Sequence, residues 1–183
     1  MFIKVKELEL RRTVFDETFT PGVIELGPEV EQKVPLRATG RAELVRENRG
    51  AKDIVDDIRL VGTFSTDVVV RCARCLEPVE QAVAEEFDLL YRPLGVDAKE
   101  DDASIGPGET EIGYYQGEGL LLEDVLKEQL LLALPVKLLC RANCKGLCPH
   151  CGRNLNVENC DCASTVPDPR WAALGDLRKK LER

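Results

Sequence analysis

The chain has 183 residues, 44% apolar and 5% aromatic, with 33 Asp/Glu against 25 Lys/Arg and a formal net charge of −8. That is enough apolar material for one domain with a small appendage, which excludes wholesale disorder. The acidic balance excludes a uniformly basic nucleic-acid binder, and the few aromatics disfavour an extended base-stacking surface.

Phe2-Ile3-Lys4-Val5-Lys6 alternates apolar and charged residues, which predicts a short strand and carries no signal-peptide core. Val34 to Leu44 is the next expected strand, after a Pro/Gly-punctuated stretch from Pro21-Gly22 to Gly27-Pro28. Arg59 to Val70 is rich in β-branched residues and predicts a third. Val79, Val83, Phe87, Leu89 and Tyr91 share one face at period two and predict a fourth. Cys72-Ala73-Arg74-Cys75 lies between the last two runs, with Pro78 after it, and is expected at a hairpin tip. Together these runs predict a mainly antiparallel β domain over residues 1–92.

Residues 93–119 are rich in Gly, Pro and acidic side chains and read as an acidic loop, either a solvated linker or a surface that meets a basic protein. Leu120 to Leu134 predicts a helix with Leu122, Val125, Leu126, Gln129 and Leu130 on one face. Glu123 and Asp124 suit its N-terminal dipole end and Pro135 ends it. Within residues 120–139 this leucine-rich helix is expected to cover the sheet. A last helix is expected from Asp168 as N-cap and Pro169 in its first turn, with Trp171, Leu174, Leu177 and Leu181 as an apolar stripe. The fold class is therefore α+β, closed by a small cysteine-rich module and basic helix over residues 140–183. No apolar run is long enough to cross a bilayer, so the chain is expected in the cytoplasm.

Thiols stay reduced in that compartment, and an even count of 8 cysteines then favours metal ligation over disulfides. Cys140, Cys144, Cys148, Cys151, Cys160 and Cys162 fall within 23 residues. Cys148-Pro149-His150-Cys151-Gly152 has the spacing that folds two thiolates onto one tetrahedral Zn²⁺. Cys148, Cys151, Cys160 and Cys162 are the first-choice ligands; Cys140, Cys144, Cys148 and Cys151 are the rival set. Cys72 and Cys75 either complete a second site with Cys140 and Cys144 or form a buried hairpin tip. Four thiolates leave no open position on zinc, which points to a structural ion. His150 is the only histidine and reads as an exposed spacer, so no Ser/His or Cys/His catalytic pair is available. No phosphate-cradling glycine loop is present either, and the chain is expected not to be an enzyme.

The charge is uneven: residues 140–183 carry a net +3 and residues 1–139 a net −11. RNA contact is therefore expected at Arg141, Lys145 and Arg153 beside the knuckle and at Arg178, Lys179 and Lys180 on the last helix. One zinc with four thiolates carries −2, so such contact depends on clustered side chains and not on bulk charge.

Arg71-Cys72-Ala73-Arg74-Cys75-Leu76-Glu77-Pro78 resembles the CxRCLxP signature of the YceD family, the large ribosomal RNA subunit accumulation proteins. Cys144-Lys145-Gly146-Leu147-Cys148-Pro149-His150-Cys151-Gly152-Arg153-Asn154-Leu155-Asn156 is similar to that family's CKGLCPxCGxNLN block, and Asp168-Pro169-Arg170-Trp171-Ala172-Ala173-Leu174 to its closing DPRxAxL. The resemblance implies a bacterial cytoplasmic factor for accumulation or processing of large-subunit ribosomal RNA, partnered by precursor rRNA, a ribosomal protein or an rRNA-processing factor. Two rivals stand beside it. One is an adaptor recruiting a processing enzyme through the acidic loop; the other is a thiol-redox or zinc-sensing protein using Cys72 and Cys75.

Overall fold

The computed structural model describes residues 1–50, 53–96 and 112–162. Most of the expected acidic loop and the whole expected C-terminal helix, including Trp171, Arg178, Lys179 and Lys180, lie outside the described residues.

The strands are β1 (Phe2–Lys4), β2 (Thr13–Phe19), β3 (Val30–Gln32), β4 (Leu36–Gly50), β5 (Asp53–Arg71), β6 (Pro78–Pro93), β7 (Ile112–Tyr115) and β8 (Gly119–Leu121). The helices are α1 (Val5–Leu8) and α2 (Leu122–Ala133). The main sheet runs β2-β4-β5-β6-β7, and all its pairs are antiparallel except β6 with β7. β3 pairs with the end of β5 at Val68–Val70, beyond the reach of β4, which begins opposite Ser65. β1 and β8 form a separate antiparallel pair.

Alternation explains the core. Ile58, Leu60, Phe64 and Val68 of β5 are buried on one face, with Leu36, Ala38 and Ala42 of β4 and Val83, Phe87 and Tyr91 of β6. Leu122, Val125, Leu126 and Leu130 of α2 join the same cluster, at the spacing that puts them on one helical stripe. Gln129, expected on that stripe, is only half-buried.

The chain contains strands where the sequence pattern predicts none. β2 alternates in burial, but only Phe15 and Phe19 are apolar and buried: Thr13 and Glu17 take the other inward positions and Val14 is exposed, so the sequence shows no apolar alternation. Ile112–Tyr115 and Gly119–Leu121 lie in or beside the stretch read as an acidic loop, yet they are strands held by β6 and β1. The helix accordingly starts at Leu122 and not at Leu120.

A row of residues crosses four strands in register: Phe15, Gly40, Gly62 and Phe87. The two rings lean over the two glycines. A Cβ on Gly40 would lie 2.7 Å from the Phe15 ring, and one on Gly62 would lie 2.9 Å from the Phe87 ring. Near the other end of β5 the buried face changes: Val55 and Asp57 are buried, one residue out of phase with Ile58. There Arg92 donates from Nε to Asp57 at 3.2 Å and from Nη2 at 2.9 Å, and Nη2 also pairs with Glu47.

Two compact units emerge: Met1–Ala73 with Glu77–Cys140, and Arg74–Leu76 with the described residues from Arg141 onward. The second has one isolated antiparallel bridge, Leu147 with Asn154. No helix among the described residues is long and apolar enough to cross a membrane.

Candidate metal centres

Cys148 to Arg153 fold into a tight knuckle. The Cys148 N–H donates to the Arg153 carbonyl at 2.8 Å, and the Gly152 N–H donates to the Cys148 carbonyl at 2.9 Å. Gly152 sits at φ +72°, the left-handed region in which a side chain is strained. This turn aims the N–H groups of Cys151 and His150 at the Cys148 sulfur. Those two bonds, joined by the Cys160 thiol, pull the Cys148 thiol down to about 6. Cys160 is pushed up by its hydrogen bond to Cys148; Cys162 is pushed up to about 12, first by its bond to Cys151 and then by desolvation. Four close-set thiols are an arrangement whose protons a divalent cation displaces when it binds.

Cys72 to Glu77 repeats that backbone. The Cys72 N–H donates to the Glu77 carbonyl at 2.8 Å, as Cys148 does to Arg153. Leu76 stands where Gly152 stands and takes φ +62°, the only described non-glycine residue with positive φ. The turn joins β5 directly to β6 and begins no helix. Cys72 and Cys75 are buried.

The eight thiols form two groups of four: Cys148, Cys151, Cys160 and Cys162 in one, Cys72, Cys75, Cys140 and Cys144 in the other. Within each group all sulfurs lie within 4.8 Å of one another. Zn–S bonds of about 2.3 Å place tetrahedral sulfurs about 3.8 Å apart, so each donor set fits such an ion with a modest contraction. Cys140 and Cys144 stand with Cys72 and Cys75, which separates them from the partners of the rival set, Cys148 and Cys151.

Surrounding groups hold the sulfurs. The Cys140 N–H donates to Cys72 Sγ at 3.4 Å, and Asn156 Nδ2 donates to Cys144 Sγ at 3.3 Å. Asn156 also accepts the Lys145 N–H at 2.8 Å and is itself held by Asn154 Oδ1 at 2.8 Å. Arg74 donates to the Cys144 carbonyl at 2.7 Å, and its own carbonyl accepts the Leu147 N–H at 3.1 Å. Gly146, at φ +77°, leaves room there: a Cβ would meet the Arg74 carbonyl at 3.1 Å. Asn154, Asn156 and Arg74 have no counterpart in the residue-by-residue reading of the sequence. The signal available was the Asn-Leu-Asn run two residues after Cys151-Gly152.

His150 is exposed, and its backbone serves the knuckle. Arg141, Lys145 and Arg153 are exposed, with Arg141 donating to the Asn156 carbonyl at 3.3 Å. Arg178, Lys179 and Lys180 fall outside the described residues.

Fold and site together define an antiparallel-sheet protein with paired cysteine knuckles and two four-thiol groups. A family model described as "Large ribosomal RNA subunit accumulation protein YceD" matches residues 60–178, and the chain belongs to that family. An uncharacterized protein of Mycobacterium tuberculosis is 31% identical over 143 residues, 74% of this chain and 66% of its own. One of Mycobacterium leprae is 28% identical over 161 residues, 86% of this chain and 67% of its own. The chloroplastic "Large ribosomal RNA subunit accumulation protein YCED homolog 1" of Arabidopsis thaliana is 24% identical over 147 residues, 69% of this chain. This chain thus spans about two thirds of the mycobacterial relatives and 46% of the Arabidopsis protein. No solved structure matches it.

Proposed function

We propose that the chain is a non-enzymatic, cytoplasmic factor for accumulation and processing of large-subunit ribosomal RNA, carrying two structural Zn²⁺ ions. The family match over residues 60–178 carries the functional half of this reading. The repeated knuckle, Cys72 to Glu77 and Cys148 to Arg153, supports the metal half. Cys148, Cys151, Cys160 and Cys162 would hold one ion; Cys72, Cys75, Cys140 and Cys144 would hold the other. Zinc would supply a fixed tetrahedral crosslink to a segment with few large apolar residues of its own. The leucine-rich helix α2 closes the sheet core in the same reading.

Each loaded centre carries −2, so attraction to phosphate comes from clustered cations: Arg141, Lys145 and Arg153, with Arg178, Lys179 and Lys180. The thiol-redox alternative is disfavoured because no helix N-terminus stands at Cys72 to stabilise a thiolate. The test is a deletion strain complemented with wild type or with Cys148→Ser/Cys151→Ser. Large-subunit rRNA is expected to fall relative to small-subunit rRNA on deletion and to recover only with wild type. An unchanged ratio on deletion would overturn the rRNA reading.

A further inference from the structure

All three tyrosines of the chain line one cleft of about 350 Å³. Tyr91 of β6 and Tyr115 of β7 are buried at its base, while Tyr114 of β7 and Phe2 of β1 stand about half-exposed at 49% and 45%. Asp124 and Glu128 of α2, one helical turn apart and both exposed, complete the wall. Among the described residues no lysine, arginine or histidine lines the cleft.

The rings are placed with care. Gly113 lies opposite Tyr91, and a Cβ there would come 2.5 Å from the Tyr91 ring. The Tyr115 hydroxyl donates to the Asp56 carbonyl at 2.8 Å. Burial, and after it the nearby Glu128 carboxylate, push the Tyr91 hydroxyl up to about 12. Electron-rich ring faces beside two carboxylates attract a cation and repel phosphate. The exposed apolar rim of Phe2 and Tyr114 offers contact area to the chain on either side of such a cation, which a free amine would leave uncovered.

We propose that this cleft binds a lysine or arginine side chain presented by a basic protein segment. Only the identity of its natural partner, a ribosomal or rRNA-processing protein, rests on the function proposed above. The binding itself is read from the cleft and is independent of either cysteine group.

The test is fluorescence anisotropy with the full-length protein. The probes are a labelled Arg/Lys-rich peptide, its Gln-substituted counterpart, spermidine and a single-stranded RNA. The basic peptide is expected to bind and the Gln peptide not. Asp124→Asn/Glu128→Gln, and separately Tyr114→Ala, are expected to weaken binding about tenfold. Glu85→Gln/Glu86→Gln, an equal charge loss at two exposed residues of β6, should leave it unchanged. No peptide binding, equal weakening by the β6 variant, or displacement of the peptide by spermidine or RNA at comparable affinity would overturn the proposal. The Asn/Gln variant removes no apolar contact, so it decides the matter even if Tyr114→Ala fails to fold. The rRNA ratio in the deletion strain does not enter this measurement, so the two readings fail separately.

Discussion

Leu76 occupies a backbone position that glycine fills in the sister knuckle. Its φ of +62° puts Cβ against the following carbonyl, at a cost of about 1–2 kcal/mol. Its side chain is 52% exposed, so little packing is returned. Leu76→Gly is expected to stabilise the protein by up to about 1 kcal/mol, because the relieved strain is partly offset by the freer unfolded chain. Gly152→Ala, the reverse change at the equivalent position, is expected to destabilise by about 1 kcal/mol. Urea titrations of the two variants, with metal present, measure both. If both changes shifted the midpoint in the same direction, the two turns would not be equivalent.

Among the elements, the sheet depends on contacts that a single strand cannot announce. Gly40 and Gly62 carry no side chain to pack, yet across the strands they make room for Phe15 and Phe87. Asp57 and Arg92 are separated by 35 residues in sequence and are buried at 1% and 4% exposure. Their bidentate geometry offsets the cost of taking both charges out of water, and removing one partner strands the other. Arg92→Met is expected to cost about 3–5 kcal/mol in urea denaturation. Asp57→Leu/Arg92→Met should recover much of that loss. A single variant as stable as wild type would show that water already reaches the pair.

At the scale of the whole molecule, the two thiol groups predict two zinc ions per chain by elemental analysis of purified protein. Chelation is expected to unfold residues 141–162, whose described part has one β-bridge and few large apolar side chains, while the sheet signal in circular dichroism persists. A metal-free protein with that segment still protected from proteolysis would refute a structural role for the ions. For the expected RNA contact, Arg178, Lys179 and Lys180 changed together to Ala should weaken pre-ribosome association and flatten its dependence on salt. Each lost phosphate contact should reduce the logarithmic slope by about 0.7–0.9. An unchanged affinity and slope would move the contact elsewhere and favour the protein-binding cleft as the main point of attachment.

Local chemistry was legible without the fold. The β-branched run of β5, the period-two face of β6 and the leucine spacing of α2 are short-range patterns, and so is the Cys-x2-Cys turn at Cys148 and Cys151. Each follows from backbone periodicity or from the reach of two thiols over a few residues. The sequence could also name Cys140 and Cys144 as candidates, but not choose their companions, since proximity along the chain favours Cys148 and Cys151. In the folded chain the sulfurs of Cys140 and Cys144 group with those of Cys72 and Cys75, residues some seventy positions away. Tertiary structure decided the short strands β2, β7 and β8, whose few buried residues become apolar-in only when a neighbour covers them. The cleft of Phe2, Tyr91, Tyr114, Tyr115, Asp124 and Glu128 draws on four elements spread over the first 128 residues. No local pattern marks it, because a cavity is a property of surfaces that meet only after the chain has folded.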